Sequence, residues 1–250
     1  MDTKKVLKLI PVFLNFKLAI RIWWKNLSKF AMIYVWGLAH IAIPAAIFFA
    51  LFWLGLETNL GSNAIFIDIF IIIGSLAWFF ILYYLIRLTL SLFLLIKHEY
   101  LGHEFKIYQE SARYFWSYLL LQILFWLTLA LWFLVFFIPA LIFLVFYILT
   151  FFVFFFEGKR GLSAIKRSQR LVKGYWLAVG GRVLFIIFAL ALFGFVLTKP
   201  LSYLQVSGFP AIIIGVVINF IIYFVYPIAL LFLYNIYKDL VKINDDASKN

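Results

Sequence analysis

Cysteine is absent from this chain of 250 residues. The absence excludes a disulfide framework, a thiolate metal site and a cysteine nucleophile. Charged residues are also scarce, because they make up 13% of the sequence where soluble domains carry about 25%. Because so few charged side chains cannot cover the surface of a soluble protein, the composition excludes an ordinary globular protein. The same hydrophobicity excludes intrinsic disorder.

Apolar side chains are what the sequence has in abundance, at 67% of all residues. A helix needs about 20 apolar residues to cross a hydrocarbon core of about 30 Å. The apolar runs therefore predict an all-α integral membrane protein with six transmembrane helices. We place the spans at about residues 30–56, 65–96, 116–137, 140–156, 183–198 and 209–237. Pro139 is the expected break between the third and fourth spans.

The positions of the cations predict the orientation of these spans. Lys and Arg number 22 against 10 Asp and Glu, and they cluster in alternate connections. The opposite set of connections contains only Lys199. By the positive-inside rule, both termini are expected to be cytoplasmic. Such clustering argues against a nucleic-acid partner, whose binding requires one soluble basic face.

Three regions follow from this pattern. Residues 1–29 form a basic amphipathic cytoplasmic segment, residues 30–237 the transmembrane domain, and residues 238–250 a cytoplasmic tail. Each pair of spans follows a polar segment, which suggests three repeated helical hairpins. Ala19-Ile20-Arg21 and Ala164-Ile165-Lys166 occupy corresponding places in the first and third of these units.

Two cytoplasmic segments have the periodicity of amphipathic helices. In the first, Lys17, Arg21 and Lys25 recur every four residues. In the second, at about residues 161–176, cations share one face and apolar residues lie opposite; these cations are Lys166, Arg167, Arg170 and Lys173. The pattern predicts interfacial helices with the apolar face toward acyl chains and the cations toward lipid headgroups. Two interpretations remain open, which are anchors that only fix topology and a binding site for anionic lipid.

The stretch from Tyr108 to Arg182 carries a resemblance to a known family. Its residues are Ile138-Pro139 at a hairpin turn, Glu157-Gly158, Gly161, Ala164-Ile165-Lys166-Arg167-Ser168 and Lys173-Gly174-Tyr175-Trp176. This stretch resembles the bacterial six-span proteins named for the membrane domain of glycerophosphoryl diester phosphodiesterases. The resemblance implies a bacterial cytoplasmic-membrane protein. It implies no enzymatic activity, because the catalytic domain that gives the family its name is missing here.

Three polar residues fall deep within the predicted spans: His40, Gln122 and Asn219. Placing a polar group at this depth in the bilayer costs free energy, so each of these residues is a candidate functional residue by default. Pro44 follows His40 by one turn and removes the hydrogen bond to the His40 carbonyl. These residues could bond to neighbouring helices, or they could line a polar path. Arg87, by contrast, is expected to snorkel to the cytoplasmic surface.

Enzymatic chemistry has little support in the sequence. His98 and His103 are five residues apart, whereas zincins need histidines four apart on one helical face. No phosphate-binding, nucleotide-binding or serine-nucleophile motif occurs, and no cofactor is implied. We therefore expect a non-enzymatic membrane protein that binds or organises anionic lipid at the cytoplasmic face. The alternative is a small transporter or lipid translocator with a polar path near His40.

Overall fold

Nine α-helices make up the described part of the chain. The computed structural model describes residues 9–57, 64–135, 137–203 and 209–247, and these residues contain no strand. In chain order the helices are α1 (Val12–Lys25), α2 (Leu27–Glu57), α3 (Ala64–Lys97), α4 (Glu104–Val135), α5 (Phe137–Tyr147), α6 (Thr150–Glu157), α7 (Leu162–Val172), α8 (Trp176–Tyr203) and α9 (Phe209–Ala247). Within these residues, six stretches are long and apolar enough to cross a membrane. The predicted all-α, six-span membrane protein is confirmed.

Five of the described helices, α2, α3, α4, α8 and α9, are longer than a bilayer requires. At about 1.5 Å per residue, the 39 residues of α9 extend about 58 Å, nearly twice the hydrocarbon thickness. The helix that contains the predicted third span begins at Glu104 rather than near residue 116. The extra turns carry polar residues, which end an apolar run in the sequence without ending the helix.

The turn between the third and fourth spans differs from the prediction. α4 ends at Val135 and α5 begins at Phe137, so Pro139 lies in the first turn of α5. A proline is tolerated there because the first amide groups of a helix have no partner within it. The fourth span is itself divided into α5 and α6, with Ile148 and Leu149 between them. No sequence signal predicted that division.

The chain folds as two compact units, with boundaries at Leu27–Ser28 and Trp116–Ser117. Unit 2 holds Ser28–Trp116, and unit 1 holds the chain before and after it. In each unit the cationic residues cluster at one end, which we call the basic end of that unit. These residues are 97–113 in unit 2, and 159–182 with 238–242 in unit 1.

Burial in unit 2 is concentrated at its basic end. Phe30 and Ile33 near the start of α2 are fully buried, as are Leu92 and Leu94 near the end of α3. Toward the opposite ends, large apolar side chains such as Trp78 lie on the surface. An apolar surface of this kind suits contact with acyl chains rather than with water.

Unit 1 shows the same gradient around α9, which contacts α1, α7 and α8. Leu231 and Phe232 of α9 and Val153 of α6 are almost completely buried at the basic end. Phe156 stacks on Tyr234 there, with ring centroids 4.8 Å apart. Farther along α8, Phe188 is exposed. The packed core of this unit therefore lies at its basic end.

Helix α1 lies antiparallel along α9. The Ile10 amide donates to Asp239 Oδ2 at 3.0 Å, and the Asn15 side chain donates to the Phe232 carbonyl at 3.1 Å. Trp23, at the other end of α1, contacts Phe224. Part of the predicted apolar face of this segment therefore packs on protein, whereas Ile20 of the same face is 38% exposed.

Arg87 does not snorkel to the surface as expected. The residue is only 9% exposed, and its guanidinium donates to the Ser111 hydroxyl at 3.2 Å and to the Tyr108 carbonyl at 2.6 Å. Because these hydrogen bonds to α4 stabilise the guanidinium inside unit 2, the side chain does not extend to solvent.

Candidate functional site

The basic helix predicted at residues 161–176 is α7, which two glycines place against the bundle. Gly158 ends α6 with φ of 68°, and Gly161 precedes α7 with φ of 55°. Both values lie in the left-handed region that glycine adopts without strain. The chain therefore reverses between α6 and α7 within four residues, and α7 packs on α6.

The apolar face of α7 is buried inside unit 1. Ala164, Leu171 and Val172 have no exposed surface, and Ile165 is 4% exposed. Ser168 also donates to the Phe146 carbonyl of α5 at 2.8 Å. The prediction that this face inserts among acyl chains is wrong, since α5, α6 and α9 cover it. The packing fixes the direction in which the opposite face points.

That opposite face carries Lys166 and Arg170, and Lys173 follows as the C-cap residue of α7; all three are exposed. In the part of the chain that the structure describes, none of the three lies within ion-pair distance of a carboxylate. Three exposed cations, two on α7 and one at its C-terminal cap, thus have no carboxylate partner among the described residues. The arrangement can attract an anion from outside the chain.

Arg167 differs from its three neighbours because it already has a partner. Its Nε lies 3.0 Å from both carboxylate oxygens of Glu157. Lys159 donates to the same carboxylate at 2.8 Å, and the Tyr237 hydroxyl lies 3.4 Å from it. The sequence pattern predicted Arg167 as a headgroup residue, whereas the structure places it in an ion pair that joins α7 to the end of α6.

A concave site of about 340 Å³ opens beside this face, and its lining includes Phe146, Gln169, Arg170 and Lys173. The volume is at the lower end of the range for small-molecule sites, about 300–1,000 Å³. Two cations and an amide around one recess suit a phosphate group, and the Phe146 ring suits the carbon atoms attached to it. Sequence reasoning missed Phe146, which lies 23 residues before Gln169 on a different helix.

The other predicted headgroup residues are on α1, in the same unit. Lys17, Arg21 and Lys25 are all exposed. Since both α1 and α7 pack against α9, two cationic helices flank that helix. The structure gives unit 1 a second basic surface in addition to that of α7.

The three deep polar residues divide between the two units. Asn219 is exposed and donates to the Gly215 carbonyl of its own helix at 2.8 Å. Gln122 is half-buried in unit 1, and His40 belongs to unit 2. His40 Nδ1 lies 2.7 Å from the Trp36 carbonyl, and its ring lies beside those of Tyr84 and Tyr108.

The histidines near the start of α4 do not gather metal ligands. His98 lies 3.1 Å from Glu110, and no group of three potential ligands occurs among the described residues.

Comparison of the chain with protein-family models, curated proteins and solved structures finds no match. The family resemblance seen in the sequence therefore stays a prediction.

Proposed function

We propose that this multi-pass membrane protein binds anionic lipid at the basic end of unit 1, through Lys166 and Arg170 of α7 and Lys173 at its C-terminal cap. We place the protein in the cytoplasmic membrane with both termini in the cytoplasm, so the lipid belongs to the inner leaflet. One observation carries the proposal: the three cations lack carboxylate partners among the described residues, on a helix whose other face is fixed in the core.

The fixed position of α7 distinguishes this site from a cationic anchor. Buried Leu171 and Val172 and the bond from Ser168 to Phe146 hold the helix against α5 and α6. The cations are therefore positioned before a lipid arrives, which lowers the entropic cost of binding. A signal that only set topology would have no need for this fixed geometry.

The expected size of the effect follows from the charge. A cation near an anionic bilayer surface contributes about 1 kcal/mol, so three contribute about 3 kcal/mol, or about a hundredfold in affinity. The recess beside Gln169, Arg170 and Lys173 has room for one phosphate group. Lys17, Arg21 and Lys25 on α1 add a second, less enclosed contact with the same leaflet.

The test replaces Lys166, Arg170 and Lys173 together with Gln in the full-length chain. Native mass spectrometry then compares the retention of phosphatidylglycerol and of phosphatidylcholine. We expect the variant to lose most of its preference for phosphatidylglycerol, with a larger loss at low salt because salt screens these charges.

The matched control replaces Lys97, Lys106 and Arg113, three exposed cations of unit 2, and removes the same charge. We expect this control to keep a clearly larger share of the preference. Equal retention of both lipids by the unaltered protein, or equal losses in the two triple variants, would contradict the proposal.

A further inference from the structure

Unit 2 contains an apolar groove that the function proposed above does not use. The groove has a volume of about 520 Å³ and lies between α2 and α3. Its lining includes Trp36, His40, Pro44, Ile73, Leu76 and Tyr84. Its size is in the range of ligand sites, about 300–1,000 Å³. The walls are almost entirely apolar, so the few polar atoms decide which molecule fits.

The first polar atom is a nitrogen of His40. Nδ1 lies 2.7 Å from the Trp36 carbonyl, and since a carbonyl oxygen only accepts, Nδ1 carries the proton. In the neutral ring this leaves Nε2 as an acceptor with a free lone pair. The bond within α2 thus fixes which ring nitrogen can accept a hydrogen bond from elsewhere.

The second polar atom is the backbone carbonyl of the same residue. Pro44 lies inside α2, four residues after His40, and has no amide hydrogen to donate to that carbonyl. Both His40 and Pro44 line the groove. One helical turn therefore supplies two hydrogen-bond acceptors, both on a residue that lines the apolar recess.

We propose that this groove binds a neutral lipid with a free hydroxyl group, of the diacylglycerol class. Its hydroxyl donates to the acceptors at His40, and an acyl chain lies along Ile73 and Leu76. An anionic headgroup fits less well, because the described lining contains no Lys or Arg to balance its charge in an apolar setting. A lipid without a hydroxyl leaves both acceptors unpaired in an apolar setting, which is unfavourable.

The experiment uses the full chain in phosphatidylcholine nanodiscs that contain a diacylglycerol with a photoreactive diazirine on one acyl chain. The comparison lipid is the same molecule with its hydroxyl acetylated. Peptide mass spectrometry locates the cross-links. We expect the hydroxyl form to label residues 73–84 about fivefold more than the acetylated form, since one net hydrogen bond of about 1 kcal/mol corresponds to that factor.

Two variants test the acceptors separately. His40→Phe keeps an aromatic ring but removes the nitrogen, and Pro44→Ala restores the amide hydrogen that bonds to the His40 carbonyl. We expect either change to reduce labelling by the hydroxyl form toward that of the acetylated form. His98→Phe, at an exposed histidine outside the groove, is the matched control and leaves labelling unchanged. Equal labelling by the two lipids, or labelling that neither groove variant reduces, overturns the proposal.

Discussion

Arg87 and Tyr108 make two contacts with each other across unit 2. The guanidinium carbon lies 4.3 Å from the centroid of the Tyr108 ring, and Nη2 donates to the carbonyl of the same tyrosine at 2.6 Å. The Nε donates to Ser111, one turn further along α4. A single buried cation thus joins α3 to α4 through a ring, a carbonyl and a hydroxyl.

Ser111→Ala should destabilise the protein, because it leaves the Nε hydrogen of a buried cation without a partner. We expect a loss of about 1.5–2 kcal/mol, or about 4–6 °C in Tm. Arg87→Met should cost less, since it removes the buried charge together with its need for partners. Thermal loss of helical circular dichroism in detergent measures both. Arg113→Ala, at an exposed arginine of α4, is the control. A Ser111→Ala variant that melts like the unaltered protein would contradict this account.

Asn15→Ala should release α1 from α9. Asn15 is 1% exposed, donates to the Phe232 carbonyl and accepts a bond from the Asn235 amide at 2.8 Å. Its removal leaves buried polar groups unpaired, at a cost of about 1–3 kcal/mol. We expect faster amide hydrogen exchange over residues 12–25, while α3 keeps its protection. Lys17→Ala, at an exposed position two residues away, should leave exchange unaltered. Unchanged exchange in both variants would mean that the asparagine pair does not hold the helix.

Glu157→Gln should change stability and lipid retention in opposite directions. The carboxylate pairs with Arg167 and with Lys159, so its neutralisation weakens the joint between α6 and α7. We expect a loss of about 1–2 kcal/mol, mainly from the half-buried Arg167 pair. The same change adds one unpaired positive charge beside the lipid site, which should raise phosphatidylglycerol retention by about fivefold.

Melting curves and native mass spectrometry on the same sample measure the two effects. Lys159→Gln is the informative control, because it weakens the same ion cluster while removing a cation. Its retention of phosphatidylglycerol should fall. If Glu157→Gln lowers stability and lipid retention together, the freed Arg167 does not contribute to the site.

The topology can be tested with single cysteines, because the sequence contains none of its own. Cysteine in place of Ile138, which is 70% exposed at the turn between α4 and α5, should react with an impermeant thiol reagent outside the cell. Cysteine in place of Ser28 or Ala112, both exposed, should react only after the membrane is permeabilised. Outside labelling at Ala112 would reverse the proposed orientation.

The sequence predicted the spanning helices well because their cause is local. A run of about 20 apolar residues must form a helix in a bilayer, whatever its neighbours are. Their lengths were underestimated, since polar residues such as Glu104 end an apolar run but not the hydrogen-bond ladder of a helix. Arg87 was misplaced for a different reason, because its burial depends on contacts that are distant in the sequence. Its partners Tyr108 and Ser111 lie on another helix, more than 20 residues away.

The amphipathic segments show a second limit of sequence reasoning. The periodicity of α7 correctly identified Leu171 and Val172 as the apolar face and Lys166 and Arg170 as the polar face. It could not distinguish a protein partner from a lipid partner, because both remove the same apolar area from water. The pairing of Arg167 with Glu157 depends on the reversal at Gly158 and Gly161, which brings together residues of two helices.

The concentration of buried residues at the basic ends has a consequence for the response to bilayer thickness. Away from those ends, side chains such as Phe188 and Trp78 make much of their contact with the surroundings of the protein. A thinner or thicker bilayer is then accommodated by tilt and bending of these lipid-facing stretches, at a modest cost per ångström of mismatch. The packed ends keep their geometry, so the basic surface on α7 should hold its shape across membranes of different thickness.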